Sequence, residues 1–133
     1  MLKIIILVFF GGAFGAMYRE LIMLLSPVIS DKFPLDIFIA NMVASLFIGL
    51  ASGLFKCKRL NQYTHTFVTT GIMGGLSTFS SFSFGAVMML SHHALIPWAA
   101  LYVLSSLTVG LLLTQLGIFI GMGNFRQKID TAK

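Results

Sequence analysis

Charge is what this chain has least of. Only 10% of its 133 residues are charged, against about a quarter in an ordinary soluble domain. The carboxylates are fewest: Glu20, Asp31, Asp36 and Asp130, against nine Lys and Arg. From Leu60 to Phe125 there is no Asp, Glu, Lys or Arg at all. Two membrane spans joined by a short turn account for such a stretch, and a water-facing surface does not. Hydrophobic residues make up 57% of the chain and the mean hydropathy is +0.94, so the composition is that of a membrane protein.

The other absences exclude whole classes of chemistry. One cysteine, Cys57, rules out an intrachain disulfide and any cysteine-based metal cluster; among Lys56, Lys58 and Arg59 it reads as an ordinary loop residue. The four carboxylates stand at or beyond span ends, so no acidic pair shares a buried site. His65, His92 and His93 have no acidic or cysteine partner at metal-ligand spacing. Gly74-Gly75 lacks the lysine of a phosphate-binding loop. Nothing points to hydrolytic or redox catalysis, and the chain reads as a non-enzyme. The formal charge of +5 flanks apolar segments and forms no nucleic-acid patch; it reads as a topology signal and a contact for anionic membrane lipid.

A spanning helix takes roughly 20 apolar residues, and four such segments are present. The spans are expected at about 4–25, 37–55, 66–90 and 95–122, forming one four-span domain over 1–133. Pro27, Asp31, Lys32 and Pro34 mark the first connection, Lys56 to Tyr63 the second, and Ser91-His92-His93 a tight third turn. The tail from Arg126 to Lys133 is polar and expected to fray. Lys3, an apolar run and the small residues Gly11 to Ala16 have the order of a secretory leader. Arg19 at helical spacing from those glycines, with three further spans beyond, favours a membrane span instead. Four spans put the N-terminus, the second connection and the C-terminus on one side, with Lys3, Lys56, Lys58, Arg59, Arg126, Lys128 and Lys133. Lys32 and Arg19 belong to the other side. The bias of basic residues predicts a multi-pass protein of the cytoplasmic (inner) membrane, with both termini in the cytoplasm.

The third span carries the chemistry. Gly71, Gly74 and Gly75 precede a run in which five of the seven residues from Ser77 to Ser83 bear hydroxyls. Glycine leaves helical geometry most readily, so the three glycines predict a broken helix, which survives in a membrane where its freed backbone is buried or lines a cavity. Freed carbonyls there suit a hard cation such as Na⁺; close helix packing through small residues is the alternative. Phe79 and Phe82 share one helical face, and their ring edges, being electropositive, would meet an anion. Plain packing phenylalanines are the alternative. Asn41 is a lone amide in the second span, able to donate to an anion or to bond a neighbouring helix. Tyr102, Ser106, Gly110 and Thr114 form a stripe along the fourth span, with Ser105 and Thr108 beside it. Such hydroxyls serve a dehydrating ion or bond back to their own helix. Arg19, next to Glu20, follows Gly11-Gly12 and Gly15 and suits an interfacial anchor or an electropositive vestibule.

Taken together these segments resemble the CrcB/Fluc fluoride channels. The resemblance rests on Gly11-Gly12-Ala-Phe-Gly15-Ala-Met-Tyr-Arg19, on Asn41, and above all on Thr69-Thr70-Gly71-x-x-Gly74-Gly75-Leu76-Ser77-Thr78-Phe79-Ser80-Ser81-Phe82-Ser83. It implies an all-α membrane fold of four helices with a break in the third, and an antiparallel dimer enclosing two narrow pores for passive F⁻ export. It also implies a structural, non-transported Na⁺ held by the backbone carbonyls of Gly74 and Ser77. The implied fluoride pathway comprises Asn41, Phe79, Phe82, Ser80, Ser81, Tyr102, Ser106 and Thr114, with Arg19 in the vestibule. Two positions depart from the family pattern: Gly85 replaces a common Glu, and Gly110 a hydroxyl. The one-sided basic charge further implies a partner subunit that is either a second copy or an oppositely oriented paralogue. Two rivals remain at this level. A small multidrug-type antiparallel exporter needs an embedded acid, for which only Glu20 is available, and a non-conducting scaffold would need neither the hydroxyl run nor Asn41.

Overall fold

The computed structural model describes residues 1–26 and 33–130, the stretch 124–130 by its backbone alone. Pro27, Asp31 and Lys32 of the first connection, and Lys133, lie outside the described residues. The side chains of Arg126 and Lys128 do so too.

Helix α1 (Leu2–Leu25) is apolar on every side, as a lipid-embedded helix is. It ends where Ser26 turns extended and returns its hydroxyl to the carbonyl of Ile22 at 2.7 Å. Helix α2 (Leu35–Lys56) carries Asp36 in its first turn and Lys56 in its last, signs that complement the helix dipole. Its end is closed by Lys58 in the left-handed region, φ 55°. The Lys58 N–H donates to Phe55 at 2.9 Å and the Arg59 N–H to Leu54 at 3.0 Å, a closure that glycine more often supplies. Asn61 starts α3 (Gln62–Thr66) by accepting the Thr64 N–H at 2.8 Å.

The third span is segmented. Helix α3 runs into a π-helical turn at Phe67–Ile72 and then into α4 (Met73–Leu76). Ser77 and Thr78 are extended, and α5 (Phe79–Leu90) follows. A 3₁₀ turn at His93–Leu95 leads into α6 (Ile96–Asp130). That helix continues past the expected boundary at Met122, so the segment expected to fray is helical through Asp130. Four helices are long and apolar enough to cross a membrane, and no strand occurs among the described residues. The chain is an all-α integral membrane protein with a broken third span.

The break is where the resemblance puts it but is not made by the glycines. A Cβ on Gly75 would collide with the carbonyl of Gly12, one on Gly15 with the carbonyl of Ile72, and one on Gly71 would lie 3.1 Å from Cα of Gly11. Gly71 and Gly75 therefore let α4 and the π turn lie against α1 backbone to backbone. None of the glycines has a positive φ. The other close crossing is α2 on α6, the most extensive helix pair, where Gly49, Gly53, Gly117 and Gly121 play the same part. Outward faces are apolar: Phe9 is 70% exposed and Leu112 63%, surface that hydrocarbon covers.

Candidate functional site

The site begins with the two extended residues. Ser77 terminates α4, its N–H reaching the Met73 carbonyl at 2.9 Å, and the chain leaves at ψ 151°. Thr78 then starts α5 as its N-cap, its hydroxyl accepting the Ser81 N–H at 3.2 Å. The same hydroxyl donates to Ser81 Oγ at 3.0 Å and lies 3.2 Å from Ser80 Oγ. Hydroxyls thus outcompete the helical backbone, and the run from Ser77 to Ser81 is the cause of the break.

Asn41 completes it from α2. Its Oδ1 accepts the Thr78 N–H at 2.8 Å, and its Nδ2–H donates to the Thr78 carbonyl at 3.4 Å. Of the two alternatives open for this amide, the structure shows the bond to a neighbouring helix: it brackets both backbone groups of the buried Thr78. In an unbroken helix the Thr78 N–H would serve the carbonyl of Gly74, and the Ser81 N–H that of Ser77. Both donors are diverted, one to Asn41 and one to Thr78 Oγ1. The carbonyls of Gly74 and Ser77 are released together, and neutral oxygens of this kind suit a hard cation. Between them the carbonyl of Gly75 receives Arg19 Nη1 at 3.4 Å.

Beside the break lies a cleft of about 330 Å³, lined by Asn41, Ser77, Thr78, Phe79, Phe82, Ser45 and Ser106 among others. Five of the residues singled out from sequence, on three helices and the break itself, therefore share one cavity. Ser106 lines the cleft, and its buried Oγ has no hydrogen-bond partner among the described residues, an unmet hydroxyl of the kind that calls for a partner. The rings of Phe79 and Phe82 are 6.0 Å apart, and Phe82 lies 5.1 Å from Tyr102. Phe79 itself is 81% exposed. Tyr102 is fully buried, its hydroxyl unpaired.

Other expected site residues sit elsewhere. Ser80 and Ser81 belong to the hydroxyl network around Thr78. The Thr114 hydroxyl is committed to carbonyls, of Gly110 at 2.9 Å and Ser45 at 3.2 Å. Ser105 and Thr108 likewise bond back to their own helix. The stripe is therefore not a continuous ladder of free donors. A Cβ on Gly110 would meet only Met42 Cε and Ser45 Oγ, both at 3.5 Å, so a small side chain fits there. Gly85 faces Pro34 and Tyr102. Glu20 is exposed beside Arg19 near the C-terminal end of α1 and is not among the residues that line the cleft. Thr78 and Ser45 are the cleft-lining residues that sequence reasoning missed. Thr78 was legible as an N-cap, a hydroxyl three residues before Ser81 at the head of an apolar helix; Ser45 carried no such signal.

Comparison with known proteins shows the family. The family described as CrcB-like protein, Camphor Resistance (CrcB), matches residues 6–118. Among relatives, fluoride-specific ion channel FluC 3 of Yersinia pseudotuberculosis serotype I is 53% identical over 119 residues, covering 90% of this chain and 89% of that protein. Fluoride-specific ion channel FluC of Rhodopseudomonas palustris is 38% identical, covering 91% of this chain and 95% of its own length. FluC 1 of Brucella abortus biovar 1 is 47% identical over 91% of this chain, which spans only 45% of that longer relative. By a match that runs from the first span into the fourth, this chain belongs to the CrcB-like family.

Proposed function

We propose that this chain is a subunit of a fluoride-selective channel that passively exports F⁻ across the cytoplasmic membrane and so reduces fluoride toxicity. The observation that carries the reading is the cleft at the helix break, where a free hydroxyl, an amide and two aromatic rings converge at membrane depth. Fluoride is small and strongly hydrated, and it enters only where donors replace its water. Ser106 Oγ, the second Nδ2–H of Asn41 and the ring edges of Phe79 and Phe82 are such donors. Transit needs no coupling ion, because a negative interior drives an anion outward, by about 2.3 kcal/mol per 100 mV.

The same reading includes an antiparallel dimer with a structural Na⁺. What supports it is the surface around the break: Gly74 and Phe79 are exposed on the single chain, and an uncovered backbone carbonyl does not survive in hydrocarbon. A second subunit would cover it, and Gly74 and Ser77 would hold the ion. A bound Na⁺ would supply positive charge that offsets an anion in a medium of low dielectric. Arg19, on the neighbouring carbonyl, adds charge of the same sign and would face the vestibule.

Efflux from liposomes containing the purified protein together with its partner subunit tests the function. F⁻ should leave and Cl⁻ should not, and Phe79→Ile or Phe82→Ile should slow F⁻ while the helix content is kept. Comparable Cl⁻ flux would replace this reading with a generic anion pore.

Orientation is a separate matter. Seven of the nine basic residues belong to one side by sequence, and Lys3, Lys56, Lys58 and Arg59 share one end of the bundle. Both termini are therefore assigned to the cytoplasm, and the antiparallel partner would be a paralogue of opposite bias rather than a second copy. In intact cells Cys57 should resist a membrane-impermeant thiol reagent and react after permeabilisation. Substantial labelling from outside would mean that the chain inserts both ways and pairs with itself.

A further inference from the structure

Helix α1 touches the third span closely at Gly11, Gly12 and Gly15, and α3 also lies against it toward the end that carries Lys3. Between them opens a groove of about 440 Å³ lined by Lys3, Ile6, Leu7 and Tyr63. Lys3, Ile6 and Leu7 are spaced i, i+3, i+4, which puts them on one face of α1. Lys3 lies at the helix end, and Ile6 and Leu7 follow it along the axis, about 1.5 Å per residue. Tyr63 closes the opposite wall half-exposed, at the position where aromatic side chains mark the headgroup level. The groove is thus largely apolar, with one cationic side chain, Lys3, at its helix-end side.

We propose that this groove binds one anionic phospholipid, its phosphate on Lys3 and Tyr63 and an acyl chain over Ile6 and Leu7. Charge at this end favours that occupant. Lys56, Lys58 and Arg59 close the neighbouring α2 at the same end, while the described carboxylates, Glu20 and Asp36, lie at the opposite one. A free inorganic anion would leave the apolar walls uncovered. An anionic amphiphile matches both the charge and the walls.

The test is native mass spectrometry of the full chain in detergent, titrated with phosphatidylglycerol or with phosphatidylcholine of the same acyl chains. Phosphatidylglycerol should be retained at one per chain and phosphatidylcholine much less. Lys3→Gln, an exposed substitution, should weaken retention about fivefold. Ile6→Trp should fill the groove and abolish retention with the helical circular dichroism unchanged. Lys58→Gln, outside the groove, should leave retention as it is. Equal retention of the two lipids, an undiminished Lys3→Gln, or competition by glycerol phosphate lacking acyl chains would overturn the site. So would occupancy of the groove by a second copy, seen as lipid loss on association.

Discussion

Asn41→Asp should leave the chain folded and cut F⁻ flux by about a thousandfold at neutral pH. An aspartate retains the oxygen that accepts the Thr78 N–H at 2.8 Å and gives up only the longer donation to the Thr78 carbonyl. The bond to the Thr78 N–H persists, but an acceptor-only carboxylate oxygen then faces the Thr78 carbonyl, so the thermal midpoint should fall without loss of the fold. For an anion passing at about 4 Å, however, a carboxylate costs about 4 kcal/mol at an effective dielectric of 20. The sign with pH follows: protonation neutralises the side chain, so flux lost at high pH should recover as pH falls through the carboxyl's pKa. Asn41→Leu separates the two roles. It strands the buried Thr78 N–H, costing about 1–3 kcal/mol, and permits that N–H to return to Gly74. Efflux and thermal melting read side by side decide the matter. If Asn41→Asp conducts like the unaltered chain, the ion does not pass Asn41.

Two adjacent glycines should respond in opposite directions. The Cβ of Gly75→Ala would meet the Gly12 backbone, with Cα of Gly12 at 2.9 Å and its carbonyl oxygen closer still. No flexible side chain can yield there, so α1 and α4 must separate, a strain of about 1–3 kcal/mol or more. The thermal midpoint and the yield of folded protein should fall. At Gly74 the nearest atom to a new Cβ is the Thr69 carbonyl oxygen at 3.9 Å, and alanine in a helix gains about 0.5–1 kcal/mol over glycine. Gly74→Ala should keep or raise the stability of the single chain. If Gly74 lies against a partner subunit, the same change should weaken the dimer on size-exclusion chromatography. A Gly75→Ala protein that melts normally would remove the backbone-to-backbone account of the crossing.

How far these features could be read beforehand differed by their range along the chain. The four spans follow from runs of apolar residues, a property of each segment alone, and the helices begin and end within a few residues of expectation apart from the long α6. The broken third span was expected too, but from Gly71, Gly74 and Gly75, which are not its cause. Glycine signals conformational freedom and close approach in the same letter, and the atoms that decide between them at Gly71 and Gly75 belong to Gly11 and Gly12, far back in sequence. Asn41 posed the same difficulty: an amide in a span announces a need for partners without naming them, and its partner is the backbone of Thr78. The fourth-span stripe shows a third limit. Spacing puts Ser106 and Thr114 on one face, but whether a hydroxyl proton is free depends on which carbonyl lies nearest. Thr114 has given its proton away and Ser106 has not.

The π-helical turn at Phe67–Ile72 holds one residue more than an α-helical turn. Each residue advances a helix by about 100°. Losing one residue here would close the wide turn and swing the surface on its N-terminal side, from Gln62 to Thr66, by that angle relative to Gly71 and Gly75. The glycine contact with α1 and the loop from Cys57 to Asn61 could then no longer both be kept. In evolutionary terms the turn acts as a register lock: a single-codon deletion is the smallest change of length available to a lineage, and at this position it would uncouple the helix break from the rest of the bundle while altering none of the residues that line the cleft.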